Sequence, residues 1–212
     1  MSVQNIRREL ARYRPTLVED GVERRAAVAV VLREDRGTPE VLLIHRADKE
    51  SDPWSGHMAF PGGRVDPDDP SVEYAARRET FEEVGLSLEG VQPLGRIDDL
   101  QGRNAGQPNG MVISAFVYHV GAPPGELVLQ ESEVQSAFFF PLWELANPKR
   151  HVRRKFHQTG TWEFPGIVVG DPERHVVWGL TYRFIEVLYG AVGRSFPEGS
   201  AGGVDPAHPE GR

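Results

Sequence analysis

Apolar residues along the chain switch between helical spacing and unbroken runs, and the switches outline the elements. Near the start, Ile6, Leu10 and Tyr13 fall at helical spacing, which predicts an amphipathic helix over residues 3–13 closed by Arg14-Pro15. Between Arg25 and Arg33 the run Ala-Ala-Val-Ala-Val-Val-Leu is apolar throughout, the mark of a central strand. Gly37-Thr38-Pro39 turns the chain, and Val41-Leu42-Leu43-Ile44-His45 supplies a hairpin partner. A loop over residues 51–55 leads to a short strand, His57-Met58-Ala59-Phe60, which runs into Pro61-Gly62-Gly63.

The stretch Asp66-Pro67-Asp68-Asp69-Pro70 is turn chemistry, and Asp69 or Ser71 is placed to cap a helix over residues 72–84 that stops at Gly85. Tyr74 and Phe81, two turns apart, are expected to anchor that helix in the core; Ala75 and Ala76 are expected to leave room for a ligand. Strands are predicted over residues 91–100, 112–120 and 126–129, with a polar loop over 101–110 bordering a pocket. A strand over 138–141, a helical turn over 142–146 and paired strands over 151–156 and 161–169, joined at Gly160, come next. A closing helix over 177–192 sets Trp178, Tyr182, Ile185 and Leu188 or Tyr189 near helical spacing. No internal repeat is visible. The pattern gives one mixed α/β domain over residues 25–194, an N-terminal helical extension over 1–24 and a disordered tail over 195–212.

Composition narrows the class. With 39% hydrophobic and 26% charged residues in 212, the chain suits a soluble domain with a sizeable core. It has no cysteine, which excludes disulfides, thiolate zinc sites and a cysteine nucleophile, and fits the reducing cytoplasm. Residues 1–14 carry charges throughout, unlike a signal peptide, and no apolar stretch is long enough for a membrane helix. A formal net charge of −7 argues against bulk nucleic-acid binding. An acidic chain that handles phosphates must therefore bring positive charge locally, by metal or by a few arginines.

Within the helix over 72–84, Glu79, Glu82 and Glu83 are spaced i, i+3 and i+4, so they share one side and repel one another. A hard divalent cation liganded by oxygen is the natural compensation. Arg78 stands four residues before Glu82 and can reach it; the Gly62 carbonyl is a further candidate ligand, and Gly63 permits the backbone geometry needed there.

Taken together, Gly62-Gly63 and Arg78-Glu79-Thr80-Phe81-Glu82-Glu83-Val84-Gly85-Leu86 resemble the signature of the Nudix hydrolases. The resemblance implies a Nudix-type α/β/α sandwich with a mixed sheet, the motif helix packed on it, and Mg²⁺- or Mn²⁺-dependent cleavage of a nucleoside diphosphate linked to another moiety. It assigns metal binding to Glu79, Glu82 and Glu83. Two positions depart from the pattern: Asp69 replaces the early glutamate, one residue out of register, and Thr80 stands where an apolar residue is usual. The stretches Leu42-Leu43-Ile44-His45-Arg46-Ala47 and Gly56-His57-Met58-Ala59-Phe60-Pro61-Gly62-Gly63 resemble the coenzyme A diphosphatase branch, as does Val177-Trp178-Gly179-Leu180-Thr181. Where that branch carries an arginine five residues after Arg46, this chain has Ser51.

A general base is expected outside the motif, at Glu133 with Glu131 in reserve, by resemblance to a further glutamate of the family. Arg46, Arg96 and Arg103 are candidates to clamp phosphates bidentately. The run Lys149-Arg150-His151-Val152-Arg153-Arg154-Lys155 is either a solvated strand or a patch for a 3′-phosphate, RNA or an acidic partner. His57 reads as a core or supporting residue, and Trp54, Trp162 and Phe164 as core aromatics or a base-stacking set. The substrate expectation is coenzyme A or an acyl derivative. ADP-ribose, dinucleotide polyphosphates, sugar nucleotides or nucleoside triphosphates are the alternatives, and a non-catalytic nucleotide sensor is a different class. The N-terminal helix and strand edges admit a homodimer.

Overall fold

The apolar run becomes β1 (Arg24–Asp35), the strand to which the rest of the sheet is attached. The computed structural model of the chain describes residues 1–19, 22–48, 55–104, 107–121, 125–156 and 162–197, without the side chains of residues 103, 104 and 107–109. Ser51, Trp54, the Gly160 turn, the Arg103 side chain and residues 198–212 of the expected tail lie outside the described residues.

One flank of β1 pairs in parallel with β6 (Gln107–His119), from Arg24↔Met111 to Leu32↔His119. The other flank is divided. Its C-terminal end forms the expected hairpin with β2 (Thr38–Arg46), through Leu32↔Val41 to Asp35↔Thr38. Beyond that point β2 peels away to pair with β3 (Met58–Ala59), while its other edge pairs with β7 (Val134–Pro141) from Glu40 to Arg46. The flank it vacates is taken by β4 (Gly62–Arg64), with Ala27 opposite Gly63 and Val28 opposite Gly62. β5 (Gly95–Asn104) closes the far edge on β6, so the described residues form a mixed seven-stranded sheet. A second sheet runs β8 (His151–Lys155), β9 (Glu163–Val168), β10 (Val176–Trp178), all antiparallel.

Alternation along β1 assigns the two faces. Ala27, Ala29 and Val31 lie under α2 (Val72–Val84), with Leu42, Ile44, Phe116 and Tyr118. Val30 and Leu32 face α1 (Val3–Leu10) and α3 (Gly179–Ala191), where Ile6, Leu10, Tyr182, Ile185 and Leu188 join one core. A helix on one side and helices with a small sheet on the other give the expected α/β/α sandwich.

α2 has the predicted limits: Ser71 Oγ accepts the Tyr74 amide at 3.1 Å, and Gly85 closes it in the left-handed region at φ 67°. Its orientation differs from the expectation. Tyr74 and Phe81 are 46% and 59% exposed, while Ala75, Ala76, Thr80, Glu83 and Val84 are buried. The alanine methyls let the helix approach β1 closely, so they leave room for the sheet and not for a ligand. That approach turns the two aromatics outward. Thr80 fits the apolar slot because its hydroxyl donates to the Ala76 carbonyl at 2.6 Å, one turn back. Phe81→Ser is accordingly expected to alter stability by less than about 0.5 kcal/mol, read from urea unfolding, whereas a core anchor would cost several times more.

Three other elements depart from the sequence pattern. Residues 101–104 and 107–110, expected as polar loop, extend the β5–β6 hairpin, because backbone pairing across two register shifts outweighs their weak strand propensity. Residues 126–129 form no strand: Val128 and Gln130 donate their amides to the Val84 and Glu83 carbonyls, at 3.0 Å each, and so strap the C-terminal end of α2. Trp178 ends β10 opposite Gly166 and precedes α3, instead of riding on it; its ring stacks on Phe156 at 4.0 Å.

Candidate functional site

Ladder bonds from Ala29 N–H to Pro61 O and from Val65 N–H to Arg25 O bracket Gly62 and place it in a register position turned away from β1. Its N–H donates instead to Glu83 Oε2 at 2.9 Å. Gly62 has φ 151°, and a Cβ there would be driven into the Ala27 carbonyl and Val28 Cα. Gly63 is required for a different reason. A Cβ on it would occupy the space held by the Glu79 carboxylate, which lies directly over this glycine.

Glu83 is only 2% exposed, and Arg46 Nη1 stands 3.5 Å from its Oε1. Burial pushes its carboxyl up to about 8; the Gly62 amide and Arg46 oppose that rise, and the charges of Glu79 and Glu133 add to it. Glu79 is likewise raised, first by burial and then by Glu82 and Glu133, against the pull of Arg78. Glu82 is the open member, with its side chain 50% exposed.

Arg78 fastens this group. Its Nη1 donates to Glu79 Oε1 and Glu82 Oε2, each at 3.0 Å, and its Nη2 to the Arg64 carbonyl at 3.1 Å. On the other side Nε and Nη2 grip both oxygens of Asp69 at 2.9 Å. Asp69, the residue that departs from the signature, is thus the bidentate partner that aims the arginine, and Arg78 holds its carboxyl below the usual range. Asp69→Asn breaks one charged arm of the fork. We expect it to cost about 1–2 kcal/mol at neutral pH, since Arg78 is partly solvated. Because the Asp69 carboxyl is depressed in the folded protein, this contribution is present above its unfolded value and fades as pH falls through the folded one. Equal wild-type and variant stabilities at pH 7 would refute the role.

Glu133 reaches the same centre from β7's side. It is half-buried, its charge is felt by both Glu79 and Glu83, and its carbonyl accepts the Ala47 amide at 2.8 Å. Glu131 is exposed to solvent. The backbone of Gln130 bridges the two acids: its N–H donates to Glu83 O at 3.0 Å and its carbonyl accepts the Glu133 N–H at 2.8 Å.

Other expected residues lie elsewhere. Arg96 sits on β5 and donates to Asp99 at 2.6 Å and Ser114 at 2.8 Å. His57 meets the edge of Trp178 at 4.6 Å, and Phe164 lies beside the same tryptophan. The basic run turns inward on its own chain: Arg150 pairs with Glu144, Arg153 donates to the Glu163 carbonyl, and Arg154 to the carbonyls of Pro172 and Glu173. The contacts of Asp69, Arg46 and Gln130 were not foreseen. In the sequence Arg46 was singled out only as a phosphate clamp and Asp69 only as an acid in the turn before the helix, whose nine-residue separation from Arg78 follows no helical rule.

The donor set is all oxygen, from carboxylates and backbone, which suits a hard divalent cation. A nearly buried carboxyl beside two others is the unfavourable arrangement that such a cation relieves. Among the described residues no three acidic or histidine side chains already converge as a cage; Arg78 and the Gly62 amide hold the carboxylates in their places.

Comparison with known proteins agrees with this geometry. The NUDIX domain model matches residues 23–160. The chain is 30% identical over 182 residues to the uncharacterized Nudix hydrolase NudL of Enterobacter sp. (strain 638), covering 82% of this chain and 86% of that one. NudL of Yersinia pestis (strain Pestoides F) is 32% identical over 171 residues, 78% of each chain. An uncharacterized protein of Schizosaccharomyces pombe is 37% identical over 163 residues, and there the match spans 68% of this chain but only about half, 49%, of the relative. A MutT/nudix family protein from Enterococcus faecalis, 20% identical, shares the fold with a TM-score of 0.52 over 85% of this chain and 63% of that one. The chain belongs to the Nudix family and is a pyrophosphohydrolase, of the class that cleaves acid anhydrides with the help of divalent metal ions.

Proposed function

We propose that this enzyme hydrolyses the diphosphate of a nucleoside diphosphate derivative, with coenzyme A or an acyl derivative as the favoured substrate and Mg²⁺ or Mn²⁺ as the ion. The observation that carries the reading is the seating of Glu79 over Gly63 beside Glu83 on the Gly62 amide, with Glu82 held by Arg78. Glu79, Glu82, Glu83 and the Gly62 carbonyl would hold the ion. When bound, it neutralises the diphosphate and lowers the pKa of a water. Arg78, gripped by Asp69, fixes two of the carboxylates. Glu133 is the group offered to take the proton from the attacking water, and Arg46, beside Glu83, the cation offered to a phosphate oxygen. The water oxygen bonds to one phosphorus and the bridging P–O bond breaks; from coenzyme A the products are 4′-phosphopantetheine and adenosine 3′,5′-bisphosphate.

Support for coenzyme A comes from position. The two stretches that resemble the coenzyme A diphosphatase branch flank these carboxylates: Arg46 reaches Glu83, and its amide bonds to the His57 carbonyl at 3.0 Å. The test is incubation with Mg²⁺ or Mn²⁺ and coenzyme A, ADP-ribose, diadenosine tetraphosphate, a sugar nucleotide or a nucleoside triphosphate, with products resolved by chromatography. Release of 4′-phosphopantetheine supports the reading. Cleavage of ADP-ribose without cleavage of coenzyme A rejects the branch, and no cleavage of any member rejects the activity for that panel.

A further inference from the structure

On the α2 face, Gly63, Ala27 and Ser114 lie side by side in one row across β4, β1 and β6. With strands about 4.8 Å apart, Ser114 is about 10 Å from the glycine under Glu79. Over this end of the row stand two arginines. Arg96 lies opposite Phe116, with its guanidinium 5.3 Å above that ring, and Arg25 precedes Ala27 by two residues on the same face. A register shift between Ile97 and Leu100 aims Asp99 between them. The Asp99 side chain is fully buried; its Oδ1 accepts Arg96 Nη2 at 2.6 Å, and its Oδ2 lies 3.9 Å from Arg25 Nη1 and accepts the Val18 amide at 3.1 Å.

Two guanidiniums on one carboxylate leave this trio with one positive charge, in a chain of net charge −7. Both remain about a quarter exposed, at 29% and 25%. Among the described residues Arg96 Nε, itself buried, has no hydrogen-bond partner. Asp99, Ser114 and the Val18 carbonyl, which accepts Arg25 Nη2 at 2.8 Å, fix both forks before any ligand arrives. Among the described residues the basic run at 149–155 has no fully buried carboxylate between two arginines: Arg150 pairs with Glu144 and Arg154 lies by the exposed Glu173.

We propose that Arg25 and Arg96 form a subsite for a phosphate monoester on the ribose of the substrate's nucleoside arm. The subsite rests on the diphosphatase reading above and sharpens it. Ser114 lies about 10 Å, two strand spacings, from the glycine under Glu79, a span that the ribose of a diphosphate held at the carboxylates can bridge, and its 2′- or 3′-phosphate is then offered two preset forks. Substrates with that phosphate are selected over those without it.

Calorimetric titration of the full chain with adenosine 3′,5′-bisphosphate, adenosine 2′,5′-bisphosphate and AMP, in Mg²⁺, reads the subsite without turnover. The wild type is expected to bind one bisphosphate about tenfold more tightly than AMP, and Arg25→Met or Arg96→Met to remove most of that preference while AMP affinity stays close to wild type; the melting temperature is expected to fall, most for Arg96→Met, because the buried Asp99 loses a partner. Should a methionine variant fail to fold, Arg96→Lys keeps the charge without the fork and is expected to lose most of the preference as well. Equal affinities in the wild type, no binding of any of the three, or a preference that survives the substitutions overturns the proposal. A chain that cleaves coenzyme A and ADP-ribose but shows no bisphosphate preference rejects the subsite alone. One that prefers the bisphosphate but cleaves no diphosphate rejects the diphosphatase reading alone.

Discussion

Glu83→Gln is expected to reduce turnover about a thousandfold or more while leaving the metal-free fold as stable as the wild type at neutral pH. The two effects separate because of what Glu83 does in each state. With its carboxyl pushed up to about 8, the buried side chain is mostly protonated near pH 7 when no cation is bound, and glutamine reproduces that neutral shape, including an acceptor for the Gly62 amide. A cation must displace the proton, so apparent affinity for Mg²⁺ or Mn²⁺ should rise by roughly tenfold per pH unit up to about pH 8 and then level off. The linkage to folding has the opposite sign. A carboxyl raised in the folded protein stabilises most below its unfolded value, from which it is lifted here, and that contribution is lost as pH climbs through about 8. Calorimetric metal titrations and thermal melts between pH 5 and 9, for wild type and variant, check both slopes. A variant that keeps wild-type metal affinity and the same pH slope would remove Glu83 from the site.

The second large effect divides two neighbouring glycines. Gly62→Ala is expected to destabilise the protein by about 3 kcal/mol or more, because its methyl meets backbone atoms of Ala27 and Val28 at a φ that side chains rarely adopt. Gly63→Ala meets the end of the Glu79 side chain, which can swing aside. It should therefore cost about 1 kcal/mol or less in stability yet weaken metal binding tenfold or more, since one carboxylate loses its seat. Urea unfolding beside metal titration gives the two numbers. Comparable destabilisation by the two alanines would show that the carboxylate over Gly63 does not account for the second glycine.

The contrast shows which properties could be read along the chain. The acids of α2 and the limits of the helix were legible because each follows a short-range rule (i, i+3, i+4 spacing, a serine cap, a left-handed glycine), and the glycine partners because the family signature carries them. The rotation of that helix was not. Tyr74 and Phe81 have the spacing of a buried pair, but the choice of buried face is made by the sheet, which accepts Ala75, Ala76 and Thr80 at close range. The same holds for residues 101–104 and 107–110, where pairing between β5 and β6 overrode a loop-like composition. Trp178 and residues 126–129 were misread because their backbone partners, Gly166 and the end of α2, are distant in sequence or of another type. For the site, long-range contacts set the precision: Asp69 on Arg78, Arg46 on Glu83 and Asp99 between Arg25 and Arg96 obey no local period.

The strap that ties residue 130 to both Glu83 and Glu133 makes a native reporter of this centre. Its amides at Val128 and Gln130 belong to neither acid's side chain, yet they exchange with deuterium when the strap parts from the end of α2. Their protection factors measure how often the two acids are held in mutual register, and they do so without a substrate, a label or a substitution at the chemistry.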